Sequence, residues 1–95
     1  MLLAFDVGNT NIVCGIYHNR ELVSHWRFAT DTLQTADGYA GMIGNLFRLN
    51  GMSFSDIEDV IISTVVPPII PILESLSRRY FKVNPILVGP GIKTG

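Results

Sequence analysis

The spacing of apolar and polar positions changes several times along this chain, and each change marks an element. Leu2 to Phe5 are a nearly unbroken apolar run that ends on Asp6, the pattern of a strand covered on both faces. From Ile12 to His18 the period is two, with Ile12, Cys14 and Ile16 on one side and Val13, Gly15 and Tyr17 on the other. After a turn at His18-Asn19-Arg20 the same period returns over Glu21 to Phe28, setting Leu22, Ser24, Trp26 and Phe28 against Val23, His25 and Arg27. One wetter face of that kind belongs to an outer strand.

The period then lengthens. Thr35 can cap a helix running from Ala36 to Leu49, in which Tyr39, Ile43, Leu46, Phe47 and Asn50 share a face while Gly38, Gly41 and Gly44 recur at threes. Each interior glycine weakens a helix by about 1 kcal/mol relative to alanine, so two readings stay open: close packing on a neighbour, or, more simply, a poorly ordered first turn. Asp37 near the helix start complements the dipole, a structural role. Gly51 stops the helix, Ser53 to Asp59 connect, and Val60 to Val65 form a fourth strand of the buried parallel type. Pro67 and Pro68 open a second helix where their missing N–H groups cost nothing. Ile69, Leu73, Leu76 and Tyr80 line its inner face, and Glu74, Arg78 and Arg79 face out. Pro85 to Val88 make a fifth strand, and a loop runs on from Gly89 to Gly95. The order β-β-β-α-β-α-β, with right-handed crossovers, predicts an α/β fold: a mixed five-stranded sheet ordered 3-2-1-4-5, strand 1 central, with helices packed on it.

Composition adds constraints. A chain of 95 residues holds one domain with one core. Its charged fraction of 16% and mean hydropathy of +0.34 stand against a usual charged share of about 25%, which implies that something further covers one apolar face. A formal net charge of -1, with no lysine or arginine block, argues against a nucleic-acid backbone or an anionic membrane as the main partner. The single cysteine, Cys14, cannot form an internal disulfide, which fits a reducing cytoplasm; it is read as a small buried hydrophobe. His18 and His25 are read as solvated. The N-terminus lacks the basic region of a signal peptide, and the apolar stretch from Val60 to Leu73 is too short to span a bilayer and is broken by Pro67, Pro68 and Pro71.

The chemistry concentrates at Asp6-Val7-Gly8-Asn9-Thr10-Asn11. An ionised carboxylate closing an apolar strand needs a cation, a cleft or backbone donors. Gly8 and Asn9 accept the positive φ that a tight turn can require, and Thr10 and Asn11 add a hydroxyl and an amide. Two readings stay open: an ordinary hairpin turn that Asp6 merely bonds, or an anion cradle. In the cradle, phosphate oxygens take backbone N–H groups and the Thr10 hydroxyl while Asp6 holds Mg²⁺, directly or through water. The turn contains no lysine, which separates it from the GxxxxGK[ST] phosphate loop. Near the other end, Gly91, Lys93 and Thr94 are candidate substrate contacts in what is otherwise a plain connector.

Four segments, Asp6-Val7-Gly8-Asn9-Thr10-Asn11, Thr35-Ala36-Asp37, Ile62-Ser63-Thr64-Val65-Val66-Pro67 and Gly89-Pro90-Gly91-Ile92-Lys93-Thr94-Gly95, occur in the order in which they stand in bacterial type III pantothenate kinases, and the chain resembles the amino-terminal half of that family. The family belongs to the acetate and sugar kinase, Hsc70 and actin superfamily. The resemblance implies that residues 1–95 are a first ribonuclease-H-like domain, with a second domain outside this chain. It implies ATP-dependent phosphorylation of pantothenate to 4'-phosphopantothenate, the first step of coenzyme A biosynthesis, by a cytoplasmic homodimer using Mg²⁺ and a monovalent cation, K⁺ or NH₄⁺. It also implies that Asp6, Val7, Gly8, Asn9, Thr10, Asn11, Ile12 and Val13 bind the nucleotide, Asp6 through the metal.

Two departures from the family pattern matter. Gly38 stands where the family usually carries a glutamate, which removes half of a capping box. The family's Gly-Ala-Asp-Arg segment, with the general base, and its second phosphate loop lie beyond Gly95, so these 95 residues are expected to be inactive alone. Two other classes share the fold. A non-catalytic accessory protein needs no base. A ribonuclease-H-like nuclease needs further carboxylates converging on two metals, and predicted strands 2 and 4 supply none.

Overall fold

The computed structural model describes residues 1–88. Strands β1 (Leu2–Val7), β2 (Asn11–His18) and β3 (Glu21–Ala29) form an antiparallel meander, and β4 (Asp59–Thr64) and β5 (Ile86–Val88) continue the sheet in parallel on the other side of β1. The order β3-β2-β1-β4-β5 places β1 at the centre, as the periodicity predicts. Strand β5 starts at Ile86 rather than Pro85, consistent with the missing N–H of proline.

One face of the sheet carries the core. Leu3, Phe5 and Val7 of β1, Ile12, Cys14 and Ile16 of β2, and Val60 and Ile62 of β4 are buried together with Tyr39, Ala40, Ile43 and Phe47 of helix α1 (Ala36–Leu49) and Leu73 and Leu76 of helix α2 (Ile70–Leu76). Burial of each Val, Leu, Ile or Phe side chain among these contributes about 1.5–3 kcal/mol. Cys14 is the buried hydrophobe expected of it, and its desolvation raises the thiol pKa well above the ordinary range. The expectation that β1 is covered on both faces does not hold: Leu2 and Ala4 are half-buried and Asp6 is exposed. The described helices bury the alternate residues Leu3, Phe5 and Val7, and the opposite face of the strand stays open.

Two local insertions change which side chains point inward. In the β2–β3 ladder Ile16 pairs with Ser24 but Tyr17 pairs with Leu22, so Val23 is an extra residue. A one-residue slip reverses the face of every residue beyond it. Leu22 therefore lies beside Tyr17, where a methyl built on Gly15 would meet both side chains at 3.1–3.3 Å, and not beside Trp26 as the alternation suggests. In the second helix a 3₁₀ turn (Pro67–Ile69) leads into α2, which passes into a π-helical turn (Ser77–Phe81). Its wider turn brings Phe81 into the core, while Tyr80 packs against the core's edge, half-buried. Phe81 joins a cluster centred on Phe47, whose ring lies 5.5 Å from Trp26, 5.3 Å from Phe54 and 5.9 Å from Phe81.

Tyr80, displaced outward, donates its hydroxyl to Asp37, and Arg79 pairs with the same carboxylate at 2.9 Å. Those two contacts hold the Asp37 carboxyl below its usual range, the Tyr80 hydrogen bond first. Asp37 thus ties the start of α1 to the end of the second helix, the structural role expected of it. Thr35 caps α1 by accepting the Gly38 N–H at 3.0 Å. Close packing at the glycines is confined to Gly44, which faces the Phe54 ring; Gly38 abuts the flexible Gln34 side chain, and Gly41 has open space above it. No described helix is long and apolar enough to cross a membrane.

Candidate phosphate-binding site

The turn between β1 and β2 is closed by one hydrogen bond, from the Gly8 N–H to the Asn11 carbonyl at 2.8 Å. It is then braced from outside. Thr30, just after β3, donates its hydroxyl to the Gly8 carbonyl at 2.8 Å and its N–H to the Thr10 carbonyl at 2.9 Å. The next residue is held in turn by α1: the Asp31 N–H donates to the Tyr39 hydroxyl at 2.8 Å, and that hydroxyl donates to the Asp31 carbonyl at 2.7 Å. Desolvation raises the Tyr39 pKa, which keeps the phenol a donor. A core residue of α1 thereby positions the turn through two backbone steps.

With the Gly8 and Thr10 carbonyls engaged by Thr30, the N–H groups of Asn9 and Thr10 and the Thr10 hydroxyl have no hydrogen-bond partner among the described residues. They line an open cleft of about 430 Å³ bounded by Asp6, Gly8, Asn9, Thr10, Asn11, Val13 and Arg27. Of the eight residues Asp6 to Val13, six therefore reach the cleft. Val7 and Ile12 alternate to the opposite side and are buried in the core.

The expected positive φ is absent from the turn. Among the described residues it occurs at Asn19, Arg20, Lys82 and Gly51, so Gly8 is not required by backbone strain. A methyl built on Gly8 would come no closer than 3.4 Å, to the Asn11 carbonyl, an ordinary contact. The missing side chain instead keeps the backbone open to whatever enters the cleft. Gly8→Ala should accordingly leave thermal stability unchanged or raise it, by up to about 1 kcal/mol through the unfolded chain. It should weaken binding of magnesium tripolyphosphate in the cleft about fivefold, roughly 1 kcal/mol. A melt and a titration on the same sample check both; lost stability would show that the turn itself demands glycine.

The donor set suits one metal and not another. No group of three or more His, Cys, Asp or Glu able to hold a metal is present among the described residues, so a cage of protein ligands is not on offer. Asp59, which opens β4, stands opposite Leu2 at the far end of β1 from Asp6. A single exposed carboxylate beside free phosphate donors fits Mg²⁺, which keeps several waters and shares its ligands with phosphates. His18 and His25 are exposed. Gly91, Lys93 and Thr94 lie outside the described residues.

Two residues of the site were not singled out from the sequence. Arg27, read as the wet side of an outer strand, reaches the cleft because Asp6 pairs with Val13 and Val13 with Arg27. Counting the register back from the second hairpin would have set Trp26 opposite Val13; only the extra residue Val23 in the ladder brings Arg27 there. Thr30 carries no local signal, since its partners are twenty or more residues away in sequence.

A five-stranded sheet in this order, with helices covering one face and the strand-1 turn left open, is a ribonuclease-H-like α/β fold of the actin and Hsc70 type. The crystal structure of a Porphyromonas gingivalis protein provisionally named an N-acetylglucosamine kinase superposes with a TM-score of 0.65 at 17% identity, covering 94% of this chain and 34% of that one. The family is narrower: this chain belongs to the type III pantothenate kinases, whose family model matches residues 2–95. Curated type III pantothenate kinases align over the whole chain at 58% identity in Geotalea uraniireducens, 55% in Citrifermentans bemidjiense and 54% in Exiguobacterium sp.. The chain spans 37% of the length of each of these relatives.

Proposed function

We propose that this chain is the first, phosphate-holding domain of a kinase that transfers the terminal phosphate of ATP to pantothenate, giving 4'-phosphopantothenate for coenzyme A biosynthesis. The observation that carries the reading is the family match over residues 2–95, with relatives at 54–58% identity along all of it. The cleft at the β1–β2 turn supports it. Asn9 and Thr10 offer N–H groups and Thr10 a hydroxyl to phosphate oxygens, and Asp6 would hold Mg²⁺ directly or through water. The metal, when bound, supplies neutralisation of phosphate charge. Val7 and Ile12 contribute by anchoring the turn in the core.

Phosphoryl transfer also needs the acceptor hydroxyl oriented and its proton accepted. Asp37 is held by Arg79 and Tyr80, and Asp31 accepts the Leu33 N–H with one oxygen. In our reading the base and the second phosphate loop belong to a second ribonuclease-H-like domain beyond Gly95, along with the K⁺ or NH₄⁺ site, and the intact enzyme is a cytoplasmic homodimer. The exposed apolar residues Leu22, Val65, Ile86 and Leu87 provide surface for such a domain or subunit to cover.

These 95 residues alone should form no phosphopantothenate above background. Joined to the remaining length of the Geotalea uraniireducens relative, they should restore transfer to pantothenate with MgATP. A folded chimera without that activity would sink the reading, as would turnover by the short chain once contaminating kinase is excluded. Light scattering on the 95-residue chain should show mass rising with concentration; a clean monomer throughout would mean that the domain buries its apolar surface by itself.

A further inference from the structure

Across the open face of the sheet, Asp6, Val13 and Arg27 form one row over three strands. Strands lie about 4.8 Å apart, so the outer two Cα atoms are separated by roughly 10 Å. Both charged side chains are exposed and line the same cleft, with the turn residues Gly8 to Asn11 beside them. They do not neutralise one another. The ion pairs among the described residues are Met1 with Glu58, Arg78 with Glu74 and Arg79 with Asp37, and Arg27 is in none of them. The turn itself contains no lysine or arginine.

A cleft with a carboxylate at one side and a guanidinium at the other selects its occupant by charge. A bare anion meets repulsion from Asp6, and a bare cation meets it from Arg27. A polyphosphate that carries its own divalent cation satisfies both, metal toward Asp6 and phosphate oxygens toward Arg27, with the free N–H groups of Asn9 and Thr10 between. The planar fork of arginine matches two phosphate oxygens at once. We propose that Arg27 is a phosphate-binding residue of this site, supplying from the neighbouring strand the cation that the turn lacks. The proposal rests on the nucleotide-binding reading above and adds a residue to it.

The test is a titration of the ¹⁵N-labelled 95-residue chain with MgATP and, separately, with magnesium tripolyphosphate, monitored by NMR so that weak binding is visible. The Asn9 and Thr10 amides report the turn, and the Arg27 Nε–H reports the guanidinium. All three should move on one saturation curve with either probe. Arg27→Gln should raise the half-saturating concentration about tenfold, the effect of losing one charged hydrogen bond. Arg27→Lys, which keeps the charge and loses the fork, should raise it less, and Arg20→Gln, at the far end of β2, should leave it unchanged. Turn amides that shift while Arg27 Nε–H stays still, or equal saturation by Arg27→Gln and the parent, would overturn the role of Arg27 and leave the turn as the binding site. Equal weakening by the Arg20 and Arg27 variants would reduce the effect to net charge and overturn it too. No shift anywhere with either probe would overturn both the turn and Arg27.

Discussion

Phe47→Ala should cost about 3–5 kcal/mol of folding stability, the usual penalty for emptying a core phenylalanine site. For a chain of this size that is a large share of a total on the order of 5–15 kcal/mol. The side chain is 1% exposed, and it is the one ring that touches Trp26 of β3, Phe54 of the connector and Phe81 of the π-helical turn. Its removal opens a cavity between elements far apart in sequence. Relaxation is limited because Gly44 already lets the Phe54 ring sit close to α1. Urea denaturation gives the measurement, with the midpoint falling and the slope retained if the folded and unfolded states are otherwise alike. Leu49→Ala is the control: Leu49 is 68% exposed on the same helix and should change stability by no more than about 0.5 kcal/mol. A loss under about 1 kcal/mol at Phe47 would mean that α1 does not close the core as described.

Asp6→Asn should abolish most of the Mg²⁺-dependent part of nucleotide binding while leaving the fold intact. Asp6 is exposed at the open end of β1, so the fold gains little from its charge. It stands at the edge of the cleft beside Gly8, Asn9 and Thr10, where the proposed metal would be held. Losing a charged contact of this kind costs about 1.5–3 kcal/mol, on the order of ten- to a hundredfold in affinity. Calorimetric titration of the chimeric chain with ATP, with and without Mg²⁺, separates the two parts of binding. Parent and variant should converge without the metal and diverge with it. Equal Mg²⁺-dependent gains in both would take Asp6 out of the metal site.

Local pattern accounts for much of this architecture. A period of two identifies β2 and β3, a lengthened period identifies α1, Thr35 and Gly51 punctuate that helix, and paired prolines announce the second one. Each signal acts through neighbours within a few residues, by dihedral preference, capping or the reach of one helical turn, so a linear reading can find it. The turn from Asp6 to Asn11 was legible as a candidate site for the same reason: its carboxylate, glycine, amides and hydroxyl are adjacent.

Other features were decided by contacts that no local pattern encodes. The extra Val23 in the β2–β3 ladder turned Leu22 to the open face, and the π-helical turn put Phe81 inside the core with Tyr80 at its edge. Neither insertion alters composition or hydropathy enough to be seen, yet each reverses what a side chain faces. Cross-strand register carried Arg27 to Asp6, and a threonine beyond β3 braced a turn about twenty residues earlier. Coverage on one face only had the same origin, because an apolar strand reads alike whether one side or both are packed. The identities of the elements come from interactions along the chain, whereas the inward-facing residues and the members of the cleft depend on pairing and packing between segments that meet only when the sheet closes.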